Sequence, residues 1–120
     1  MGDEQLRLKV KHEGQVIRIS FLDAELTDDL VIEQMGQYFN DLTAETPNAR
    51  IVLDFSGVTR CISRMFGVLA SFGHKASGTG VQLRLCGLDE HLLEAFRITR
   101  LDTRFKILPT AAEAMKSFKP

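Results

Sequence analysis

The chain has 120 residues, of which 44% are hydrophobic and 26% are charged, a composition typical of one globular domain. It contains no run of roughly 20 apolar residues, the length that spans a bilayer, which argues against an integral membrane protein. The net charge is −1, but residues 1–54 carry −6 and residues 55–120 carry +5. The basic half lacks interleaved aromatic residues, so it favours an acidic protein partner or a phosphate over direct contact with nucleic acid.

The first half of the chain predicts a hairpin, a helix and a buried strand. Residues 6–11 and 16–21 alternate apolar and polar side chains on either side of HEGQ, as two paired strands do. Residues 30–42 then have apolar side chains at helical spacing, including Leu30, and the preceding Thr-Asp-Asp suits a helix start. The continuous apolar run at residues 51–55 is typical of a strand covered on both faces.

Helices and strands alternate through the second half. Helical spacing over residues 65–72 ends at the glycines of SGTG, and residues 81–88 read as a strand. Asp89 then caps a short helix, residues 105–109 form a strand, and Thr110 with Glu113 makes a capping box for a last helix. The order β-β-α-β-α-β-α-β-α predicts a single α/β domain over residues 1–120, with its core at about residues 6–118 and a largely parallel sheet.

The predicted core and the predicted site follow from this arrangement. In an open parallel sheet, residues 51–55 form a central strand, and ligands bind beyond the carboxyl ends of the strands, where Ser63 falls. Six apolar residues are expected to be buried and in mutual contact: Leu53, Phe66, Leu69, Leu83, Leu85 and Phe96.

The residues give no sign of catalytic or metal chemistry. His12, His74 and His91 lie in three different predicted elements, without the spacing of a metal site. The stretch GHKASGTG lacks the spacing of a phosphate-binding loop, and no serine lies in a GxSxG elbow. Cys61 and Cys86 lie far apart in apolar runs, which predicts two buried, reduced thiols and, with the acidic N-terminus MGDEQ, a cytoplasmic protein. We therefore expect no enzymatic activity, no cofactor and no metal.

Ser63 stands where the strand pattern gives way to helical spacing, with Arg64 directly after it. One interpretation is structural, since a serine at a helix start accepts a backbone hydrogen bond worth about 1 kcal/mol. The other is regulatory, because a phosphoryl group would add about −1.5 to −2 charges next to exposed N–H groups and the positive end of the helix dipole. The residues alone leave both interpretations open. Asp54, at the end of the preceding strand, is expected to cap a turn.

Three segments, IVLDFSGVTRCISRMFGVL, GVQLRLCGL and EAFRITRLDTRFKIL, resemble the STAS domain family of bacterial anti-sigma factor antagonists. The resemblance covers about residues 6–118. It implies a regulator that works by partner switching, in which the unphosphorylated antagonist binds an anti-sigma factor that is also a serine kinase. Phosphorylation then releases the antagonist, and a serine phosphatase is a further candidate partner. The resemblance does not imply an oligomeric state.

Matched residue by residue, Asp54 and Ser56 correspond to the end of the family's strand, and Ser63 falls on its phosphoacceptor. Ser56 is expected to belong to the turn, and Gly67, which matches a family glycine, is expected to allow close packing of the helix on the sheet. This chain departs from the motif in having Ile62 in place of Asp, and Arg64 and Met65 in place of Ser and Gly. The residues expected to contact the partner are Ser56, Arg60, Ile62, Arg64 and Met65.

Two alternatives follow from the altered motif and from the groove at the strand ends. The protein could be a STAS scaffold or assembly subunit that is never phosphorylated. It could also be a sensor that binds a small ligand in the strand-end groove.

Overall fold

The strands and helices follow the predicted order. The computed structural model describes residues 6–118, and the predictions for MGDEQ lie outside the described residues. The strands in this range are β1 (Leu8–Glu13), β2 (Val16–Phe21), β3 (Glu25–Leu26), β4 (Arg50–Asp54), β5 (Arg60–Cys61), β6 (Gln82–Cys86) and β7 (Lys106–Leu108). The helices are α1 (Asp29–Glu45), α2 (Ser63–Gly78), α3 (Glu90–Ile98) and α4 (Ala111–Lys116), with a short 3-10 helix at Leu101–Thr103.

Five strands form one mixed sheet in the order β1-β2-β4-β6-β7. β1 is antiparallel to β2, whereas β2, β4, β6 and β7 run parallel. β4 is the central strand, as predicted, and the α/β class with a largely parallel sheet is confirmed. The carboxyl ends of the parallel strands therefore lie at one edge, where the chain leaves β4 towards α2.

The strand boundaries differ from the prediction in the hairpin and in two short strands. β1 begins two residues later than predicted, because Arg7 adopts a left-handed conformation with φ of 60°. The ladder instead continues to the pair Glu13 and Val16, and Gly14 in the turn has φ of 62°. β3 and β5 pair with each other in a separate two-stranded sheet, and two residues are too few to show an alternating pattern.

The sheet has two unequal apolar faces. Alternate strand residues such as Ile51 and Leu53 pack in one large core with residues of α1, α2 and α3. The other face holds a small cluster in which Val52 and Cys86 pack against Ala114 of α4. Of the six predicted core residues, all are buried except Phe66, which is partly buried. The Phe66 ring packs edge to face against Phe96, with 5.5 Å between centroids.

The helix caps predicted within residues 27–29 and at Asp89 and Thr110 are confirmed. Asp28 accepts from Leu30 N and Val31 N, Asp89 from Leu92 N, and Thr110 from Glu113 N. The first turn of α1 differs from the prediction, since Leu30 is 63% exposed and Ile32 is fully buried in its place. No helix among the described residues is apolar over a length that could cross a membrane.

We expect Leu69→Ala to lower the free energy of unfolding by about 2–5 kcal/mol, as truncation of a fully buried leucine does. Urea unfolding followed by circular dichroism measures the change. The control is Ser71→Ala on the same helix, an exposed position where a change within about 0.5 kcal/mol is expected. Equal effects of the two substitutions would mean that α2 does not pack on the sheet through Leu69.

Candidate functional site

The chain leaves β4 through a turn built on the carboxylate of Asp54, which is 5% exposed. Ser56 N and Ser56 Oγ donate to Asp54 Oδ1 at 3.0 and 2.7 Å, and Arg18 Nη2 donates to Oδ2 at 2.9 Å. Burial alone raises the pKa of Asp54, but the hydrogen bonds from Ser56 and Arg18 outweigh it and hold the pKa below its ordinary value. Asp54 is therefore ionised at neutral pH, and the prediction that it caps a turn is confirmed.

Two residues that the sequence did not single out complete this turn. Arg18 of β2 also lies 3.5 Å from Glu13 Oε2, so its guanidinium joins two carboxylates on one face of the sheet. Gly87, directly after β6, has φ of +74°, and a Cβ there would lie 2.5 Å from Ser56 Oγ and 2.8 Å from Asp54 Oδ1. Only glycine fits this position. In the sequence, Arg18 and Gly87 could have been noticed only as an arginine within a predicted strand and a glycine near the end of another.

The segment between the turn and α2 is held by backbone hydrogen bonds to β3 and the residue before it. Thr59 N donates to Ala24 O at 2.7 Å, and Ile62 N donates to Leu26 O at 3.2 Å. Because β3 and β5 are parallel neighbours, these bonds fix the direction in which the chain enters α2. The start of α2 is thus a rigid part of the fold.

Ser63 is the first residue of α2 and is exposed. The position predicted for it at a helix start is confirmed, but the interpretation of Ser63 as a helix cap is wrong. The N-cap residue is Ile62, which has no polar side chain, and no side-chain bond caps this end. Within residues 6–118 the Ser63 hydroxyl makes no hydrogen bond, because it lies one residue past the position from which a side chain reaches back to N–H groups.

The other residues expected to contact a partner fall into two groups. Ser56, Arg60 and Arg64 are exposed, and Ile62 is partly buried, so these four border Ser63 or the turn that leads to it. Met65 is fully buried in the main core, and the expectation that it contacts a partner is wrong. Its position in the first turn of α2 faces the sheet.

Gly67 does not have the role predicted for it. It is exposed, and a Cβ built on it would meet nothing within 4 Å, so close packing on the sheet does not explain this glycine. The close approach on α2 lies at Gly73 instead, where a Cβ would lie 2.7 Å from the Phe105 ring.

The start of α2 favours negative charge. The first turn of α2 contains no acidic residue, and its N–H groups lie at the positive end of the helix dipole. The exposed arginines Arg60 and Arg64 precede and follow Ser63 in the chain. This end of the helix can therefore receive an anionic group, whether it is attached to the chain or belongs to another molecule.

The two cysteines near this site are weakly reactive. Cys61 and Cys86 are free thiols. Burial, aided by Asp89 for Cys61 and by Asp54 for Cys86, raises the pKa of each thiol to about 12. Both thiols therefore stay protonated and weakly nucleophilic at neutral pH. In the described part of the chain, no three His, Cys, Asp or Glu side chains are grouped to hold a metal ion.

We expect Asp54→Asn to cost about 1–3 kcal/mol at pH 7, because it removes a buried charge that accepts three hydrogen bonds. Since folding lowers the pKa of Asp54, its contribution is present above the unfolded pKa of about 3.9 and is lost as the pH falls through the folded pKa. The variant should therefore lose less stability than wild type on acidification.

Urea unfolding between pH 7 and pH 3 tests this expectation. Asp23→Asn is the matched control, because Asp23 forms a bidentate pair with Arg7 at the surface and should contribute less than about 1 kcal/mol. Equal losses from the two substitutions would contradict a special role of the buried turn.

The comparisons with known proteins agree with the fold. A family model described as "Mlab, STAS domain" matches residues 8–109. A STAS domain protein from Planctomyces limnophilus superposes with a TM-score of 0.80 at 22% identity, covering 90% of this chain and 94% of that one. A putative anti-sigma factor antagonist from Thermotoga maritima gives 0.78 at 21% identity, covering 95% and 96%.

A third structure, Bacillus SpoIIAA in its phosphorylated form, gives a TM-score of 0.68 at 15% identity and covers 90% of this chain and 96% of its own. The chain has no match among the curated proteins. At these identities the solved structures establish a common fold, while the family model matches most of the chain in sequence. The chain therefore belongs to the STAS domain family.

Proposed function

We propose that this protein is a cytoplasmic anti-sigma factor antagonist that acts by partner switching, with Ser63 as the phosphorylated residue. The observation that carries the proposal is the state of the Ser63 hydroxyl. It is exposed, it makes no hydrogen bond within the described residues, and it lies at the start of a helix that rigid neighbours hold in place. A kinase can reach such a hydroxyl without unfolding the protein.

A phosphoryl group at Ser63 is compatible with the folded state. It would add about −1.5 to −2 charges close to the N–H groups of the first turn, where the helix dipole favours negative charge. The Arg64 side chain is exposed next to it and can pair with the phosphate. Phosphorylation would therefore change the surface that a partner meets and leave the fold unchanged.

The proposed partner is an anti-sigma factor with serine kinase activity, which would bind over Ser56, Arg60, Ile62 and Arg64. The two arginines suit acidic groups on that partner. A serine phosphatase would restore the binding form. The likeness in fold to Bacillus SpoIIAA, which has a structure in the phosphorylated form, supports a phosphorylation switch in this protein as well.

A second candidate function is a STAS subunit that binds its partner without phosphorylation. Ile62 favours it, because an apolar, partly buried side chain stands where the antagonists have a carboxylate next to the phosphoacceptor. In that case the same surface is a permanent contact, and its charge does not change during the protein's working cycle.

We expect Ser63→Glu to lower the affinity of this protein for the anti-sigma factor by 100-fold or more, since a carboxylate would be desolvated in an interface shaped for a hydroxyl. Its effect on the free energy of unfolding should stay within about 1 kcal/mol. Ser63→Ala should bind and resist release by ATP. Calorimetry with the isolated partner measures both affinities, and mass spectrometry after incubation with the kinase identifies the modified residue.

The control is Ser71→Glu, which places the same charge at an exposed position two turns further along α2 and should bind like wild type. Arg64→Ala separates two roles of that arginine. Phosphorylation should increase if Arg64 hinders the kinase, and the phosphorylated protein should lose stability if Arg64 pairs with the phosphate. If Ser63→Glu and Ser63→Ala both bind the partner like wild type, the switch is excluded and the unphosphorylated subunit is the correct function.

A further inference from the structure

Three large apolar side chains of the described region are exposed, and their surroundings differ in charge. Leu22 and Leu30 are 48% and 63% exposed and lie near the acidic start of α1. Ile98 is 73% exposed and ends α3, which is followed by a basic segment. Single exposed apolar residues are common, but these lie in two oppositely charged regions of one molecule.

Leu22 precedes Asp23 and Leu30 precedes Val31, two residues that line a depression of about 560 Å³, which we name the acidic pocket. Its accessible apolar lining is Ala24 and Val31, since Leu26, Ile32 and Met35 also line it but are almost fully buried. Its charged lining consists of Arg7, Asp23, Glu25 and Asp28, three carboxylates against one guanidinium. Because Arg7 forms a bidentate pair with Asp23, the remaining charge of the pocket is negative. The pocket thus offers an apolar floor with an acidic rim.

Ile98 and its basic neighbours have the complementary character, and we name Arg97, Ile98, Arg100 and Arg104 the basic knob. All four residues are exposed. Arg97 pairs with Glu94 at 2.6 Å, but residues 94–106 contain four basic and two acidic residues and keep a net charge of +2. An apolar tip surrounded by guanidinium groups matches the apolar floor and the acidic rim of the pocket.

The acidic pocket and the basic knob lie towards opposite ends of the parallel strands. The pocket residues 23–28 come directly after the carboxyl end of β2. α3 starts after the carboxyl end of β6 and leads back to the start of β7, which is parallel to β6. Its last residue, Ile98, is therefore directed towards the amino ends of the strands. The two surfaces cannot meet within one chain, but they can meet between copies.

We propose that the basic knob of one copy docks into the acidic pocket of a second copy, in a head-to-tail contact. Ile98 would insert against Ala24 and Val31, and the arginines would face the carboxylates of the rim. Such a contact is heterologous, so each added copy leaves one pocket and one knob free, and assembly grows with concentration. The contact depends on neither Ser63 nor phosphorylation, so the result of its test is independent of the proposed function.

Two variants test the proposal. The knob variant is Ile98→Glu, which removes the apolar tip and places a like charge against the acidic rim. The pocket variant is Leu22→Gln combined with Leu30→Gln, which removes the apolar flanks and keeps the charge. All three positions are exposed, so the fold should be retained. Ser71→Glu and Ser71→Gln, on the exposed face of α2, are the matched controls.

Sedimentation velocity over a range of concentrations measures association. Wild type should associate at about 0.05 M salt and dissociate at about 0.5 M, where screening is strong. Each variant alone should associate at least about tenfold more weakly than wild type, as is expected when an apolar contact of an interface is lost. An equimolar mixture of the knob and pocket variants should form a one-to-one dimer that does not grow, because only one intact pocket and one intact knob remain per pair.

Any one of four results would overturn the proposal. Wild type could be monomeric at all concentrations in low salt, or the variants could associate like wild type. The mixture of the two variants could also stay monomeric. Finally, the variants could lose binding to another protein while their self-association is unchanged, and the pocket would then be the binding site of that protein. Circular dichroism melts check folding, and Ile98→Gln replaces Ile98→Glu if the charged variant is unfolded.

Discussion

The buried carboxylate of Asp54 is the interaction on which the site depends. It lies at the end of the central strand, and it binds Arg18 of β2 and both donors of Ser56 in the turn that follows. An unpaired charge at 5% exposure would be strongly destabilising, so the three hydrogen bonds are a condition of the fold. Gly87 contributes by having no side chain, because a Cβ there would occupy the space of the Ser56 hydroxyl. The turn thereby fixes the path of the chain from β4 to α2.

Beyond that turn, buried residues and backbone hydrogen bonds hold the chain in place, and the side chains proposed to meet a partner lie at the surface. The short pairing of β3 with β5 holds the chain up to Ile62, and Met65 anchors the first turn of α2 in the core. Between these anchors, Ser63 and Arg64 face solvent. A charge added at Ser63 therefore alters what a partner meets without disturbing the packing beneath it. This division would allow the proposed phosphorylation of Ser63 to change affinity strongly and stability little.

The acidic and basic halves of the sequence contribute to different regions of the folded protein. The acidic first half supplies the start of α1 and the pocket beside β3, and the basic second half supplies the end of α3. Because α3 runs antiparallel to the strands, its basic end is carried away from the acidic pocket. The two charges therefore do not neutralise each other within a chain, and they remain available to other molecules, including further copies. A net charge of −1 conceals this polarity.

The sequence by itself determined the order of the main elements, the parallel sheet, the central strand, a helix cap within residues 27–29 and the caps at Asp89 and Thr110, because these depend on periodicity and on side chains close in the chain. It also placed Ser63 at the start of α2 and Asp54 in a turn. It could not place Arg18 and Gly87 beside that turn, since they lie 36 residues before and 33 after Asp54. Helical periodicity near an end is also ambiguous by a residue, which is why Ser63 follows the cap and does not form it. Met65 belongs to the apolar stripe that the periodicity predicts, and only the motif match assigned it to the partner surface. Only tertiary structure decided these points, because burial and long-range hydrogen bonds depend on which strands become neighbours in the sheet.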